Sequence, residues 1–372
     1  MSLVNDRLNI LSLAKKRAPF GSGKYCRIVR KVWNISRKKG LSSDNAFRMG
    51  LYDLDIDIDK GCPFISKKEM LTIQNSVNPG GWSRLTEDKS QFYRYCETTG
   101  IPVPSFYSVY FRNMDGWCPK GVPLRTEKHW LDYFEKVVED EFVIKPARGV
   151  YGKKVNVFRR ENQVFTDVQG KTWSAGDILN FMKNDDEYNV YIIQERIHDH
   201  PDLVRLSDIK SIQTLRITTF IDGDGNFRFL HAALKIITGN CPVDSFHQGR
   251  TGNAIGPVNL ETGVLGSTAM MAPDGHGLVW VEKHPRTGRS IKGFQLPFWK
   301  ELRDVVKNAA HHFLPIRTIG WDVAITPDGP KIIEANMYWD PPSLSGCAFH
   351  NECPYDFPAE WLRKEKEKIK SS

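Results

Sequence analysis

The chain has 372 residues, of which 40% are hydrophobic, 26% charged and 11% aromatic, close to ordinary globular usage, which excludes a disordered, collagenous or coiled-coil polypeptide. No apolar run approaches the roughly 18–20 residues of a membrane span. The net charge is +8, but residues 1–40 hold eleven Lys or Arg against the single acid Asp6, so the remaining chain carries −2.

That distribution argues against a nucleic-acid enzyme, whose basic surface runs along a groove. A basic segment on a nearly neutral body instead suits an anionic surface, such as lipid headgroups or an acidic glycan, or else a solvated face. The opening residues place Asp6 and Arg7 early and lack a long apolar core, so no secretory signal is expected. Seven cysteines, odd in number and widely spaced at 26, 62, 96, 118, 241, 347 and 353, fit reduced thiols in a cytoplasmic protein.

Residues 1–80 alternate short apolar clusters with basic residues, and Asn78-Pro79-Gly80-Gly81 is a strong breaker. Thr86 is then placed to cap a helix through Thr86-Glu87-Asp88-Lys89. Helical spacing follows over 127–140. Phe142-Val143-Ile144-Lys145-Pro146 is a short apolar strand ending in a lysine. A small, polar turn from Ala147 to Gly152 leads to a strand at 155–158, and another strand covers 190–195. Residues 214–221 and 227–237 form a hairpin joined by Asp222-Gly223-Asp224-Gly225. Residues 298–313 read as helix. A last hairpin pairs Trp321–Ile325 with Lys331–Ala335, and the tail 360–370 reads as a solvated helix.

The last hairpin carries the sharpest chemical signal. Glu334 and Asn336 fall on one face of a strand, and Asp322 near the base of its partner can join them across the ladder. Two carboxylates and an amide oxygen suit Mg²⁺ holding phosphates; the plain alternative is a polar surface hairpin. Lys145 faces a turn holding Gly149, Gly152 and Lys153, where backbone N–H groups can approach phosphate oxygens. The turn is neither a GxxxxGK[ST] loop nor a GxGxxG fingerprint. Ile192-Ile193-Gln194-Glu195 can offer a backbone edge and a carboxylate to an adenine ring.

The ordered stretches LTEDKSQFYRYCETTGIPVP, FVIKPARGVYGKKV, YIIQERI, SIQTLRITTF, DSFHQG, VNLETGVL, HPRTGRSIKGFQLPFW and IGWDVAITPDGPKIIEAN resemble the ATP-grasp superfamily of carboxylate–amine ligases. Within it they resemble the sugar-transfer-associated ATP-grasp family, over about residues 85–340. The resemblance implies an α/β and α+β chain, with an N-terminal α/β domain and two lobes clasping ATP between antiparallel sheets. The expected division is 1–84 for the basic segment and N-terminal domain, 85–196 for the first lobe, 197–345 for the second lobe with the metal hairpin, and 346–372 for a C-terminal extension.

By the same resemblance, Lys89 and Lys145 are the phosphate lysines, and residues 147–154, with Gly149, Gly152 and Lys153, are the loop that closes over the phosphates. Glu195 and the backbone of Ile197 form the adenine hinge, and Lys235 faces the nucleotide. Asp322, Glu334 and Asn336 hold Mg²⁺, and Arg216 stands near the γ-phosphate and acyl group. The ribose-binding position is open between Asp202 and Thr214. His247, Arg250 and Asn253 belong to a substrate loop that departs from the family pattern at Ser245 and from Arg250 to Asn253. Cys347, His350 and Cys353 are spaced like part of a zinc site, with only three ligands visible.

The implied activity is an ATP- and Mg²⁺-dependent ligase forming an amide through an acyl phosphate, with a uronic acid or amino acid among its substrates, in surface polysaccharide or sugar-conjugate biosynthesis. Two alternatives remain: a peptide-type ligase of secondary metabolism, and a nucleotide-binding scaffold of a glycan assembly complex. The expected location is the cytoplasm, peripheral at the inner membrane face.

Overall fold

The computed structural model describes residues 3–39, 41–56, 67–149, 152–162, 164–239, 244, 246, 250–341, 364, 367 and 368. The chain opens with helices α1 (Leu3–Lys15), α2 (Gly23–Lys39), α3 (Ser43–Arg48) and α4 (Lys67–Val77), then α5 (Arg84–Glu87) and α6 (Lys89–Thr99). In α2 the buried residues Tyr25, Ile28, Val32 and Ile35 recur every three or four positions, which makes one apolar helical stripe. They pack with Ile10, Leu13, Ala46 and Phe47 into a separate small core. The sequence expectation for this region is an α/β domain. Among the described residues before Phe106 there are helices only, because the apolar clusters keep helical rather than alternating spacing.

The first sheet follows, built from β1 (Phe106–Phe111), β2 (Gly116–Trp117), β3 (Glu141–Pro146), β4 (Asn156–Glu161), β5 (Val164–Asp167), β6 (Thr172–Trp173) and β7 (Val190–Glu195), with α7 (Glu127–Lys136) and α8 (Ala175–Lys183) between strands. Its order is β2-β1-β7-β3-β4-β5-β6, with antiparallel pairings throughout. Trp130, Tyr133 and Phe134 of α7 and Ile178, Leu179 and Met182 of α8 cover one face, meeting Phe142, Phe158 and Phe165.

After α9 (Pro201–Ser207) comes the second sheet: β8 (Thr214–Ile221), β9 (Phe227–Ile236), β10 (Ala254–Pro257), β11 (Thr268–Met271), β12 (Leu278–Val281), then α10 (Trp299–His312), β13 (Thr318–Thr326) and β14 (Gly329–Asn336). The order is β12-β11-β10-β9-β8-β13-β14. Leu302, Val306 and Phe313 pack on it beside Phe92 and Tyr93 of α6, and Val109 and Ile192 of the first sheet join the same core. Helix α6 thus lies where the two sheets meet. All nine residues of β13 are buried.

Two joints depart from the sequence expectation. The cap of α6 is Asp88, whose side chain accepts from Ser90 N; Thr86 instead donates to Ser83 O at 3.0 Å, because a short helix precedes it. The breaker at Asn78 is no loose linker either. Asn78 is buried; its Nδ2 donates to Thr318 O at 3.0 Å, and its Oδ1 accepts from Thr318 N at 3.0 Å and Arg317 N at 2.9 Å. One amide so satisfies the backbone at the start of β13. The tail expected as helix lies outside the described residues except at 364, 367 and 368, which are helical.

Asn78→Ala leaves those buried backbone groups without partners, so it should cost about 2–4 kcal/mol. Urea unfolding checks this; a loss under half a kcal/mol on that scale would show that the joint does not hold β13.

Candidate active site

The β13–β14 ladder pairs Asp322 with Glu334 and Gly320 with Asn336, then shifts register so that Val323 faces Ile332. Ile333 is the extra residue, and bulges of this kind re-aim side chains next to functional sites. The carbonyl of Ile333 is not idle: Tyr93 Oη on α6 donates to it at 2.9 Å. Asn336 is anchored by its Nδ2, which donates to Gly320 O at 3.3 Å. Gly320 has no room for a side chain, since a Cβ there would stand 2.7 Å from that of Trp339 and 3.3 Å from an Arg216 guanidinium nitrogen.

Asp322 is opposite Arg216 of β8 as well. Arg216 Nε and Nη2 grip its two oxygens at 2.7 and 2.9 Å, the planar two-point geometry of the guanidinium. Lys235 Nζ of β9 adds a contact at 2.9 Å, donates to Thr214 Oγ1 at 2.9 Å, and stands 3.8 Å from Asp244 Oδ2. Burial pushes the Asp322 carboxyl up, but Arg216 and Lys235 outweigh it and hold the group well below the usual carboxylate range. Arg216 is likewise opposed by burial and carried above its ordinary value by Asp322.

The second pair of cations approaches from the first lobe. Lys89, at the first turn of α6, donates to Glu334 Oε1 at 3.2 Å and to Gly149 O at 3.1 Å. Lys145, near the end of β3, is buried and donates to Tyr93 Oη at 3.1 Å, 5.0 Å from that ring's centre. Burial and the neighbouring Lys89 push Lys145 down to about 7, against the opposing pull of Glu334. Three cations therefore pair with the two hairpin carboxylates and Lys145 joins them through Tyr93, an arrangement suited to a polyanion.

The loop and hinge residues are placed differently. Gly149 packs against Pro146, and Gly152 has φ +68, a left-handed backbone that favours glycine. Lys153 lies away from the cluster, 3.5 Å from Glu187, and Lys154 takes Asp185 at 3.0 Å. Glu195 ends β7, with its carboxylate engaged by Lys331 Nζ at 2.8 and 2.9 Å and by Ser105 N at 2.9 Å. Burial raises the Glu195 carboxyl, yet Lys331 and Ser105 hold it below its ordinary value. This pair ties the first sheet to β14. Ile197, just beyond, is buried.

Of the residues expected at a substrate loop, His247 lies outside the described residues. Arg250 stands 4.0 Å from Asp44 of α3, and Asn253 is fully buried, accepting Thr238 N at 3.3 Å. Neither reaches the cation cluster. Thr214 does, through Lys235, whereas Asp202 pairs with Arg205 on the surface of α9. Cys347, His350 and Cys353 also lie outside the described residues.

Two site residues, and one buried carboxyl behind β8, were not singled out by sequence. Tyr93 stands one helical turn after Lys89, so i,i+4 spacing carries the signal. Asp244 accepts Thr214 N at 2.9 Å and was read only as part of a loop. Asp199, buried and bonded to Gln213, is pushed up to about 7 by that burial; no spacing rule points to it.

As a donor set for a divalent cation, Asp322, Glu334 and Asn336 supply two carboxylates and an amide oxygen on one face, the hard-oxygen chemistry that Mg²⁺ takes. Among the described residues no group of three or more His, Cys, Asp or Glu is placed to hold a metal, so such an ion would keep waters or take substrate oxygens as further ligands.

Residues 71–351 match the family model described as sugar-transfer associated ATP-grasp. No curated protein matches the sequence. Among solved structures the chain is similar to N5-carboxyaminoimidazole synthetase from Staphylococcus aureus complexed with ADP (11% identity, 73% of this chain and 51% of that one, TM-score 0.38). It is similar also to D-alanine–D-alanine ligase from Bacillus anthracis (12%, 82% and 76%, 0.40) and to L-amino acid ligase from Bacillus licheniformis (10%, 70% and 43%, 0.36). The chain spans about half the length of the first of these structures.

A buried ammonium disfavours folding, and its cost is testable. Between about 7 and the ordinary lysine value of roughly 10.4 the unfolded chain holds a proton that the folded chain has lost. Lys145 therefore makes stability rise with pH across that window. Lys145→Met should remove this part of the rise and raise the melting temperature at about pH 6. Thermal unfolding over pH decides; parallel curves for both proteins would contradict the burial of a titrating lysine.

Proposed function

Because the chain belongs to the sugar-transfer associated ATP-grasp family, we propose that its cleft binds ATP and Mg²⁺ and joins a carboxylate to an amine, releasing ADP and phosphate. The observation that carries this reading is the meeting of Lys89, Arg216 and Lys235 with the Asp322–Glu334 hairpin, with Lys145 beside them on Tyr93. Cations paired to carboxylates in the free protein can exchange those partners for phosphate oxygens.

Each residue then has a role that its position supports. Lys89 and Lys145, from the first lobe, hold phosphate oxygens. Mg²⁺ held by Asp322, Glu334 and Asn336 would neutralise charge on the phosphates and orient them. Arg216, fixed by Asp322, stabilises the charge that develops as a substrate carboxylate takes the γ-phosphoryl group. The resulting acyl phosphate is attacked by the amine, and the amide forms as phosphate leaves. Residues 147–154 close over the site and exclude water, which would otherwise hydrolyse the acyl phosphate. Glu195 and Ile197 border the adenine. No protein nucleophile is required.

The family's description links this reading to sugar transfer; from that link we propose a uronic acid or amino acid as the acid, with a role in surface polysaccharide or sugar-conjugate assembly. Among the described residues no helix is long and apolar enough to cross a membrane; we place the protein in the cytoplasm, peripheral to the inner membrane face.

An ADP-release screen of carboxylic acids crossed with amines, with mass detection of products, tests the ligase reading. ADP should appear only when a matched acid and amine are both present. Glu334→Gln removes a charged oxygen ligand and should lower turnover by roughly a hundredfold or more, with the melting transition retained. Near-normal turnover in that variant would remove the hairpin from the chemistry.

A further inference from the structure

The outer side of α1, α2 and the turn between them is rich in exposed cations. From Arg7 to Ser43 the sequence has no Asp or Glu. Some cations there face inward. Arg17 pairs with Asp274 and donates to His276 O at 2.9 Å on the second lobe. Lys31 takes the carbonyls of Asp53 and Ile56, and Arg7 lies over Trp33, 4.5 Å from the ring centre. Arg17 thus joins the helical layer to the second lobe, while Lys31 and Arg7 hold the layer together.

Lys15, Lys16, Lys24, Arg27, Arg30 and Lys38 remain exposed. Among the described residues no carboxylate pairs with them. Large apolar side chains stand among them, with Leu8 62%, Leu11 41% and Phe20 73% exposed. Leu8, Leu11 and Lys15 share one face of α1 at i, i+3 and i+7 spacing, opposite the buried Ile10, Leu13 and Ala14. Phe20, in the following turn, rests one side on the Tyr25 ring at 5.1 Å between centroids and leaves most of its surface exposed.

We propose that this face docks on a bilayer bearing anionic headgroups, with the cations at the headgroups and Leu8, Leu11 and Phe20 entering the acyl boundary. Charge alone would suit any polyanion. The exposed apolar residues select the bilayer, because an acidic polysaccharide in water offers no apolar region to receive them. Attraction between the cations and the surface acts only within about 8 Å at physiological salt, so it should weaken as salt rises. None of these side chains touches the cation cluster of the cleft, so this inference stands or falls separately from the ligase reading.

Co-sedimentation with vesicles of phosphatidylcholine containing phosphatidylglycerol tests it, with pure phosphatidylcholine vesicles and a soluble polyuronate as parallel arms. The full chain should bind the anionic vesicles at low salt and leave the neutral ones. Changing Lys15, Lys16, Lys24, Arg27, Arg30 and Lys38 to Gln should weaken binding by roughly tenfold or more. Changing Leu8, Leu11 and Phe20 to Ser should weaken it to a similar degree with the charge intact. Melting temperature and turnover should hold in both; if the triple change loosens α1, Phe20→Ser alone carries the test. Absence of vesicle binding at low salt overturns the proposal. So does an apolar variant that binds like the parent, or stronger binding to the polyuronate than to the vesicles.

Discussion

Asp322 lies in the interior of a sheet, on a strand with every residue buried, and both its oxygens are held by cations. A carboxylate in such a place is costly unless paired and fully hydrogen-bonded. Arg216 from β8 and Lys235 from β9 supply the pairing, so three strands have their register and their charge fixed by one contact. The arrangement works in both directions for Arg216, whose guanidinium takes both oxygens of Asp322, while Lys235 also reaches Thr214 and Asp244. Removal of Asp322 or Arg216 strands the opposite charge in the low-dielectric interior, so the pair constrains the second lobe.

The first lobe reaches this centre through α6. Asp88 caps that helix and Arg148 donates to the same carboxylate at 3.1 Å, which couples the helix start to the segment after β3. Lys89 crosses to Glu334, while Tyr93 one turn on joins Lys145 to the bulge at Ile333. Glu195 and Lys331 form a second tie between the lobes. The cleft is therefore held by ion pairs and hydrogen bonds whose cations could re-pair with a bound polyanion. Beneath them the lobes share one apolar core, in which Phe106, Val109 and Ile192 meet residues of the second sheet. Lys145 pays for its position in stability, as a group placed for binding commonly does.

Much of this was legible because it depends on short-range rules. The turn Thr326-Pro327-Asp328-Gly329-Pro330 and the alternation around it give the hairpin, and i,i+2 spacing puts Glu334 and Asn336 on one face. The apolar strand ending at Lys145 is equally local. The family resemblance supplied the lobes and their order. What stayed hidden was set by pairing across long separations. Arg216 and Asp322 are 106 positions apart, and only the β8–β13 register brings them together. The bulge at Ile333 is invisible in the spacing because one inserted residue leaves the apolar pattern readable. Asn78 was read as a breaker since Asn-Pro-Gly-Gly is a turn signal, yet its side chain serves the backbone of β13. The N-terminal helices were missed where basic residues interrupt the apolar ones, although Tyr25, Ile28, Val32 and Ile35 keep helical spacing.

The central claim is that the cation cluster receives nucleotide phosphates, and proton exchange on binding tests it most directly. Phosphate beside Lys145 favours the ammonium, whereas the free protein holds this group near 7. Titration calorimetry with Mg²⁺ and ADP at about pH 8.5, in buffers of different ionisation enthalpy, reads the protons taken up. The account predicts uptake approaching one proton per nucleotide in the parent and a marked reduction in Lys145→Met. Failure to bind nucleotide, or binding with the same proton count in both proteins, would contradict it.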